Sequence, residues 1–205
     1  MNEIWKACIE EINSYLKIMD LKAIDGNPPP WEFLETVMKS LTFERIYLKG
    51  TVQKGCNIEG NIYLSEGSLI KYPTVIEGSG FIGKDVIIGP YAYLRGNFLI
   101  GDKVNLGRAE FKSSIMLSGS HAAHFSYVGD SVIGRKCNLG AGTKTGNLRL
   151  DGKNIPVVYN GQKIQTGRRK LGAIMEDGVK TGCNVVTNPG TYLKKGKFVL
   201  PCKNI

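Results

Sequence analysis

Reading every sixth residue from position 46 gives Ile46, Val52, Ile58, Leu64, Ile70, Ile76, Ile82, Ile88, Leu94, Ile100 and Leu106, an unbroken run of aliphatic side chains. An α-helix repeats about every 3.6 residues and a strand every two, so neither produces this spacing. A hexapeptide β-helix does: each hexad makes one flat face and one corner of a triangular prism, and three hexads close a coil. The aliphatic residue points inward, and Gly after it, as in Ile82-Gly83, Ile88-Gly89, Ile100-Gly101 and Leu106-Gly107, suits a tight corner. Coils stacked at the inter-strand spacing of ~4.8 Å turn columns such as Val52, Ile70, Ile88 and Leu106 into ladders that fill the core.

Beyond Leu106 the spacing predicts a register slip of one, with Phe111, Leu117 and Ala123 inward. Lys112 and His124 then stand one residue past the inward positions and face a cleft. The segment HFSYVGDSV is expected to delay the next repeat, which resumes at Ile133 and Leu139. Residues 147–171 do not fit the hexad and read as an excursion, with a hairpin around Asn160-Gly161. The repeat returns with Met175, Thr181, Thr187, Leu193 and Val199.

Residues 1–42 differ in kind. Ile4, Trp5, Cys8, Ile9, Ile12, Tyr15, Leu16 and Met19 recur at three- and four-residue steps, the stripe of an amphipathic helix, and WEFLETVMKSL after Pro30 is a second one. The expected architecture is therefore an all-β, left-handed parallel β-helix at 43–205 with a small N-terminal helical appendage at 1–42. That appendage is expected to pack on the prism or on a sister subunit.

The formal charge of +9 points to an anionic partner, and a phosphorylated small molecule accounts for it without any nucleic-acid reading motif. The five cysteines are odd in number and form no C-x-x-C pair, which argues against a disulfide framework or a metal site and for a reducing cytoplasm. No apolar run is long enough for a membrane span, and the first residues do not read as a signal peptide.

The stretch His124-Phe125-Ser126-Tyr127-Val128-Gly129-Asp130, followed by Ile133-Gly134 and Asn138-Leu139-Gly140-Ala141-Gly142-Thr143, resembles the acetyltransferase domain of bifunctional N-acetylglucosamine-1-phosphate uridyltransferases. NLRLDGK and TGRRKLGAIMEDGVKTGCNV look more like the archaeal-type sugar-1-phosphate nucleotidylyltransferase/acetyltransferases, and the likeness covers about residues 46–200. The Gly-rich nucleotide loop of their other domain is missing, so nucleotidyl transfer is not expected. The resemblance implies an acetyl-CoA-dependent N-acetyltransferase acting on an amino-sugar phosphate such as glucosamine 1-phosphate. It implies His124 as general base, substrate contacts at Arg95, Glu110, Lys112, Tyr127, Asn138 and Lys153, and acetyl-CoA contacts at Ala141, Asn147, Leu148 and Cys183. It also implies a homotrimer with sites between neighbouring prisms.

The chemistry suits these residue types. An amine attacking a thioester must lose a proton, and histidine is neutral enough near pH 7 to take it. Arg95 and Lys112 fall one coil apart, where two stacked cations invite an anion between them. His121 has no motif partner; Lys194, Lys195 and Lys197 could meet the phosphates of CoA but read first as a solvated face, and Arg168, Arg169 and Lys170 read either way or as interface charges. Other readings of the same prism are an O-acyltransferase on another sugar, or a non-catalytic scaffold that partners a separate nucleotidyltransferase.

Overall fold

The computed structural model describes residues 2–44 and 46–205, with the side chains of residues 2–4 outside the description. Ile4 of the expected apolar stripe lies outside the described side chains. Beyond the helices the chain winds as a parallel β-helix of eight coils, seen in the eight-stranded parallel sheet of one face. On that face, here A, the inward column runs Leu48, Leu64, Ile82, Ile100, Met116, Ile133, Met175, Leu193. Face B carries Val52, Ile70, Ile88, Leu106, then Ala122, Leu139, Thr181 and Val199. Face C carries Ile58, Ile76, Leu94, Phe111, Val128, Thr145 and Thr187, with Ile205 packed against the core at the end.

Three details correct the expected register. The first residue of the face A column is Leu48, which pairs with Leu64, rather than Ile46, and both are about half exposed at this end. The corner before Val52 is cut short at Gly50, where a Cβ would meet backbone oxygens of Ser68 and Ser65 at 2.5 and 2.7 Å. After Phe111 the inward residues are Met116 and Ala122, not Leu117 and Ala123, because the corner between faces C and A has lost one more residue. Leu117 is buried too, but on the outside of face A among the helices. Finally, HFSYVGDSV causes no delay: Val128 follows Ala122 at the regular step of six and stacks on Phe111.

The shortened C-to-A corners replace Gly96 of the coil below, at φ 65°, with Ser113 at 45° and Asp130 at 47°. Non-glycine residues tolerate this left-handed region sparingly, and Asp and Asn best among them. An acidic residue is thereby fixed where a polar side chain reaches back over the coil below it.

Two helices, α1 (Asn2–Ile18) and α2 (Pro30–Ser40), lie on face A. Pro30 sits where a first-turn N–H would go unsatisfied in any case. Trp5, Ile9, Ile12, Leu16, Phe33, Leu34 and Val37 pack with Phe81, Leu99, Ile115, Leu117, Val132 and Ile174, which point outward from the prism, so face A has a core on both sides. Helix α1 also caps the A-to-B corner. The Asp102 N–H donates to Tyr15 Oη at 3.1 Å, and the Ser118 N–H donates to Glu11 Oε1 at 3.0 Å. Trp5 Nε1 donates to Tyr192 Oη at 3.1 Å, and Cys8 lies against Asp177.

Between Thr145 and Met175 the chain leaves the prism. Pro156–Tyr159 and Gln162–Gln165 pair as an antiparallel hairpin whose turn, Asn160-Gly161, is left-handed at both residues. Ile155, Val157 and Leu171 tuck under the helices, and Arg168 donates to Glu35 at 2.6 Å and to the Trp31 carbonyl at 3.2 Å. No helix among the described residues is long and apolar enough to cross a membrane.

Candidate active site

Face C gathers most of the implied polar residues. Tyr93, Glu110, Tyr127 and Lys144 form one outward column, and Arg95 and Lys112 form the next, as register partners on adjacent coils. Their adjacency is as the hexad requires, but no anion is needed between them. Glu110 Oε1 takes both Nε and Nη2 of Arg95 at 2.7 Å, while Lys112 Nζ sits 2.8 and 2.7 Å from the two carboxylate oxygens of Asp130. Each cation has an internal counter-ion, supplied by a strand neighbour in one case and by the left-handed corner in the other.

Asn147 donates from Nδ2 to Asp130. The Tyr127 hydroxyl lies close by, over Gly129. A Cβ there would stand 2.5 Å from Tyr127 Oη and 2.9 Å from Asn147 Nδ2, so only glycine leaves room for the pair. Partial burial, reinforced by the negative charges of Asp130 and Glu110, pushes the Tyr127 hydroxyl above its ordinary value and keeps it a donor. The hydrogen bonds from Arg95 to Glu110 hold that guanidinium firmly protonated.

His124 starts the same strand, His124–Gly129, about 7 Å from Tyr127 by strand rise, since their partners Arg108 and Glu110 are two residues apart, and is exposed. Its register partner is Arg108, and a bulge at Arg108/Ala109 leaves Phe125 as the extra residue, at φ 52° and 63% exposed. The imidazole has no hydrogen-bond partner among the described residues. In particular Glu110, which could have fixed its tautomer, is engaged by Arg95.

The implied acetyl-CoA contacts climb the corner between faces B and C above His124. The Gly142 N–H donates to His124 O at 2.9 Å, the Asn184 N–H donates to Ala141 O at 2.7 Å, and the Cys202 N–H donates to Cys183 O at 2.8 Å. His124, Ala141, Cys183 and Pro201 are thus successive rungs of one corner, with Gly142, Asn184 and Cys202 in the next column, and Cys183 is exposed. Asn147 stands across face C at the far corner, and Leu148, 52% exposed, bridges Lys170 at the root of the excursion.

Two residues fall elsewhere. Asn138 lies on face B between His121 and Lys180, around the corner from Arg95 and Lys112 within one prism. Lys153 belongs to the exposed turn at the start of the excursion, where its N–H donates to Asp151 and Arg149 pairs with that same carboxylate.

Asp130 is the residue that sequence reasoning missed, although it closes the motif carrying the family likeness. The available signal was Lys112 itself, since a lysine set into a packed wall needs a carboxylate within reach. A groove between α2 and this corner, lined by Asp130, Ser113, Asn97, Met38, Lys39 and Arg168, opens beside it. A second groove at Ile18, Met19, Phe43, Tyr47 and Tyr63 involves none of these residues.

No protein-family profile matches the chain. It is 41% identical over 168 residues to the bifunctional sugar-1-phosphate nucleotidylyltransferase/acetyltransferase of Sulfurisphaera tokodaii, covering 80% of this chain and 41% of that protein. It is 38% identical over 162 residues to the bifunctional protein GlmU of Methanocaldococcus jannaschii, covering 78% of this chain and 40% of that one. The hexapeptide transferase family protein of Anaplasma phagocytophilum overlaps 74% of this chain and 81% of its own at a TM-score of 0.38 and 15% identity, a likeness too slight to weigh. The chain spans about two-fifths of the length of the curated relatives it matches. It is a homologue of the bifunctional sugar-1-phosphate nucleotidylyltransferase/acetyltransferases, matched over that part of their length.

Proposed function

We propose that this chain transfers the acetyl group of acetyl-CoA to the amine of an amino-sugar phosphate such as glucosamine 1-phosphate. The observation that carries the reading is the meeting of two sets of residues: Arg95, Glu110, Lys112, Tyr127 and Asn147 on face C, and His124, Ala141 and Cys183 on the adjoining corner. The sugar nitrogen attacks the thioester carbonyl, a C–N bond forms, the C–S bond breaks and CoA leaves as the thiol. His124 takes the proton the nitrogen sheds. Arg95 turns Nε and Nη2 to Glu110, which leaves its Nη1 edge for a phosphate oxygen. Lys112 acts through Asp130, holding Asn147 and Tyr127 in place.

Acetyl-CoA would run along the corner past Ala141 and Cys183, which brings its thioester beside His124, whereas Asn147 and Leu148 stand across face C at the far corner. Asn138 lies on another face of the prism, so it would join a site only from a neighbouring copy, which favours a homotrimer with shared sites. The acyl-CoA requirement and the free thiols suit the cytoplasm.

Thiol release on mixing the protein with acetyl-CoA and amino-sugar phosphates tests this reading. The expected result is release with at least one such sugar, and a loss of about 10²–10⁴-fold in kcat for His124→Ala at unchanged fold. Release no faster than background with every amino-sugar phosphate, or an undiminished rate in the variant, rejects it. The internal neutralisation of Arg95 and Lys112 favours a second reading, a non-catalytic scaffold. Calorimetry separates the two, because a scaffold takes up no acetyl-CoA.

A further inference from the structure

Arg95, Arg135, Arg149 and Arg168 each hold a carboxylate. Arg108, like Arg169, holds none among the described residues. Its guanidinium instead lies over two aromatic rings, 4.8 Å from the centroid of Tyr91 and 5.0 Å from that of Phe125. A guanidinium covered on its flat sides by rings keeps its in-plane N–H edge open, and that edge is what grips a phosphate bidentately.

The clamp is built at a cost. Tyr91 and Phe125 are 59% and 63% exposed, so core burial does not explain them. Both also adopt left-handed backbone, at φ 63° and 52°, a conformation that is strained for a bulky residue. The bulge that makes Phe125 the extra residue also makes Arg108 the register partner of His124, about 4.8 Å away across the strands.

We propose that Arg108 is a phosphate-binding, specificity-determining residue beside His124, held flat by Tyr91 and Phe125, and that it takes a phosphate of one of the two substrates, the amino sugar's or the acyl-CoA's. The identity of those substrates rests on the acetyl-transfer reading, whereas binding of phosphate at Arg108 can be measured without turnover.

Calorimetric titrations of wild type, Arg108→Gln and Arg108→Lys would use glucosamine 1-phosphate and acetyl-CoA, with unphosphorylated glucosamine and S-acetylpantetheine as controls. Arg108→Gln is expected to weaken one phosphorylated ligand by about tenfold or more, the loss of one charge-assisted hydrogen bond, while sparing the controls. A loss confined to glucosamine 1-phosphate assigns the acceptor, and one confined to acetyl-CoA assigns the donor. Arg108→Lys restores only part of the affinity, because a point charge replaces a fork. Equal affinities in wild type and Arg108→Gln for both phosphorylated ligands, or binding of neither by folded wild type, overturn the proposal. Arg108-dependent binding without thiol release leaves it standing and rejects acetyl transfer. Thiol release with unchanged KM values in Arg108→Gln does the reverse.

Discussion

Lys112 Nζ lies within 2.8 Å of both carboxylate oxygens of Asp130, which the shortened corner brings back over the coil below. With side chains only 14% and 12% exposed, the pair is mutually dependent. Removing Asp130 leaves an ammonium in a packed wall, so Asp130→Ala is expected to cost about 3 kcal/mol of stability. Lys112→Met combined with Asp130→Ala should cost less than the sum of the single changes. Denaturant unfolding of the three variants checks this, and additive losses would mean that the two groups do not interact.

The cysteines should divide by environment. Burial pushes the Cys137 thiol up to about 11 and raises Cys8 as well, with the Asp177 carboxylate adding to the effect at Cys8. Cys183 and Cys202 are exposed. Iodoacetamide at neutral pH is expected to label Cys183 and Cys202 and to reach Cys8 and Cys137 only after unfolding, as read by mass spectrometry of peptides. If acetyl-CoA occupies the corner, it slows labelling at Cys183 more than at Cys56.

Asp177 ties α1 to the prism. Burial alone would raise its carboxyl, but hydrogen bonds from the Arg135 guanidinium and backbone N–H prevail and hold it below the ordinary value of 3.8. A depressed folded value stabilises the fold above the unfolded value, and that contribution is lost as the pH falls through it. The melting temperature should therefore drop more steeply below about pH 4 in wild type than in Asp177→Asn. Parallel pH profiles would remove Asp177 from the account.

Thr187 is fully buried at an inward position, and its Oγ1 has no hydrogen-bond partner among the described residues. Valine has nearly the same shape without the hydroxyl. Thr187→Val is expected to be neutral or stabilising by about 1 kcal/mol, whereas Thr181→Val should destabilise by a similar amount, because Thr181 Oγ1 bonds Thr143 Oγ1 at 2.8 Å. Thermal melts of the two variants decide this.

The coil could be read from the sequence because an aliphatic residue at every sixth position leaves few other ways to bury them all. The same beat carried the columns from Val52 through Leu106 and again from Met175 to Val199. It failed where corners lose residues, since Met116 and Leu117 are both apolar and both buried, one inside the prism and one beneath the helices. A hydrophobic pattern cannot separate two cores on opposite sides of one sheet. Within the site, the stacking of Arg95 on Lys112 followed from the period, but their carboxylates did not. Glu110 lies two residues from Lys112 in sequence yet serves Arg95, and Asp130 reaches Lys112 only through a left-handed corner that the period does not encode. The position of Asn138 around the bend is likewise a matter of three dimensions.

A stack in which each coil touches only the next would ordinarily melt from its ends, one layer at a time. Helix α1 changes that. Its 17 residues span about 25 Å, close to the ~24 Å covered by five coil steps, and its side chains reach from Phe81 through Asp102, Ser118 and Asp177 to Tyr192. A single splint fastened to so many layers couples the fate of distant rungs, so most of the prism should come apart in one cooperative step.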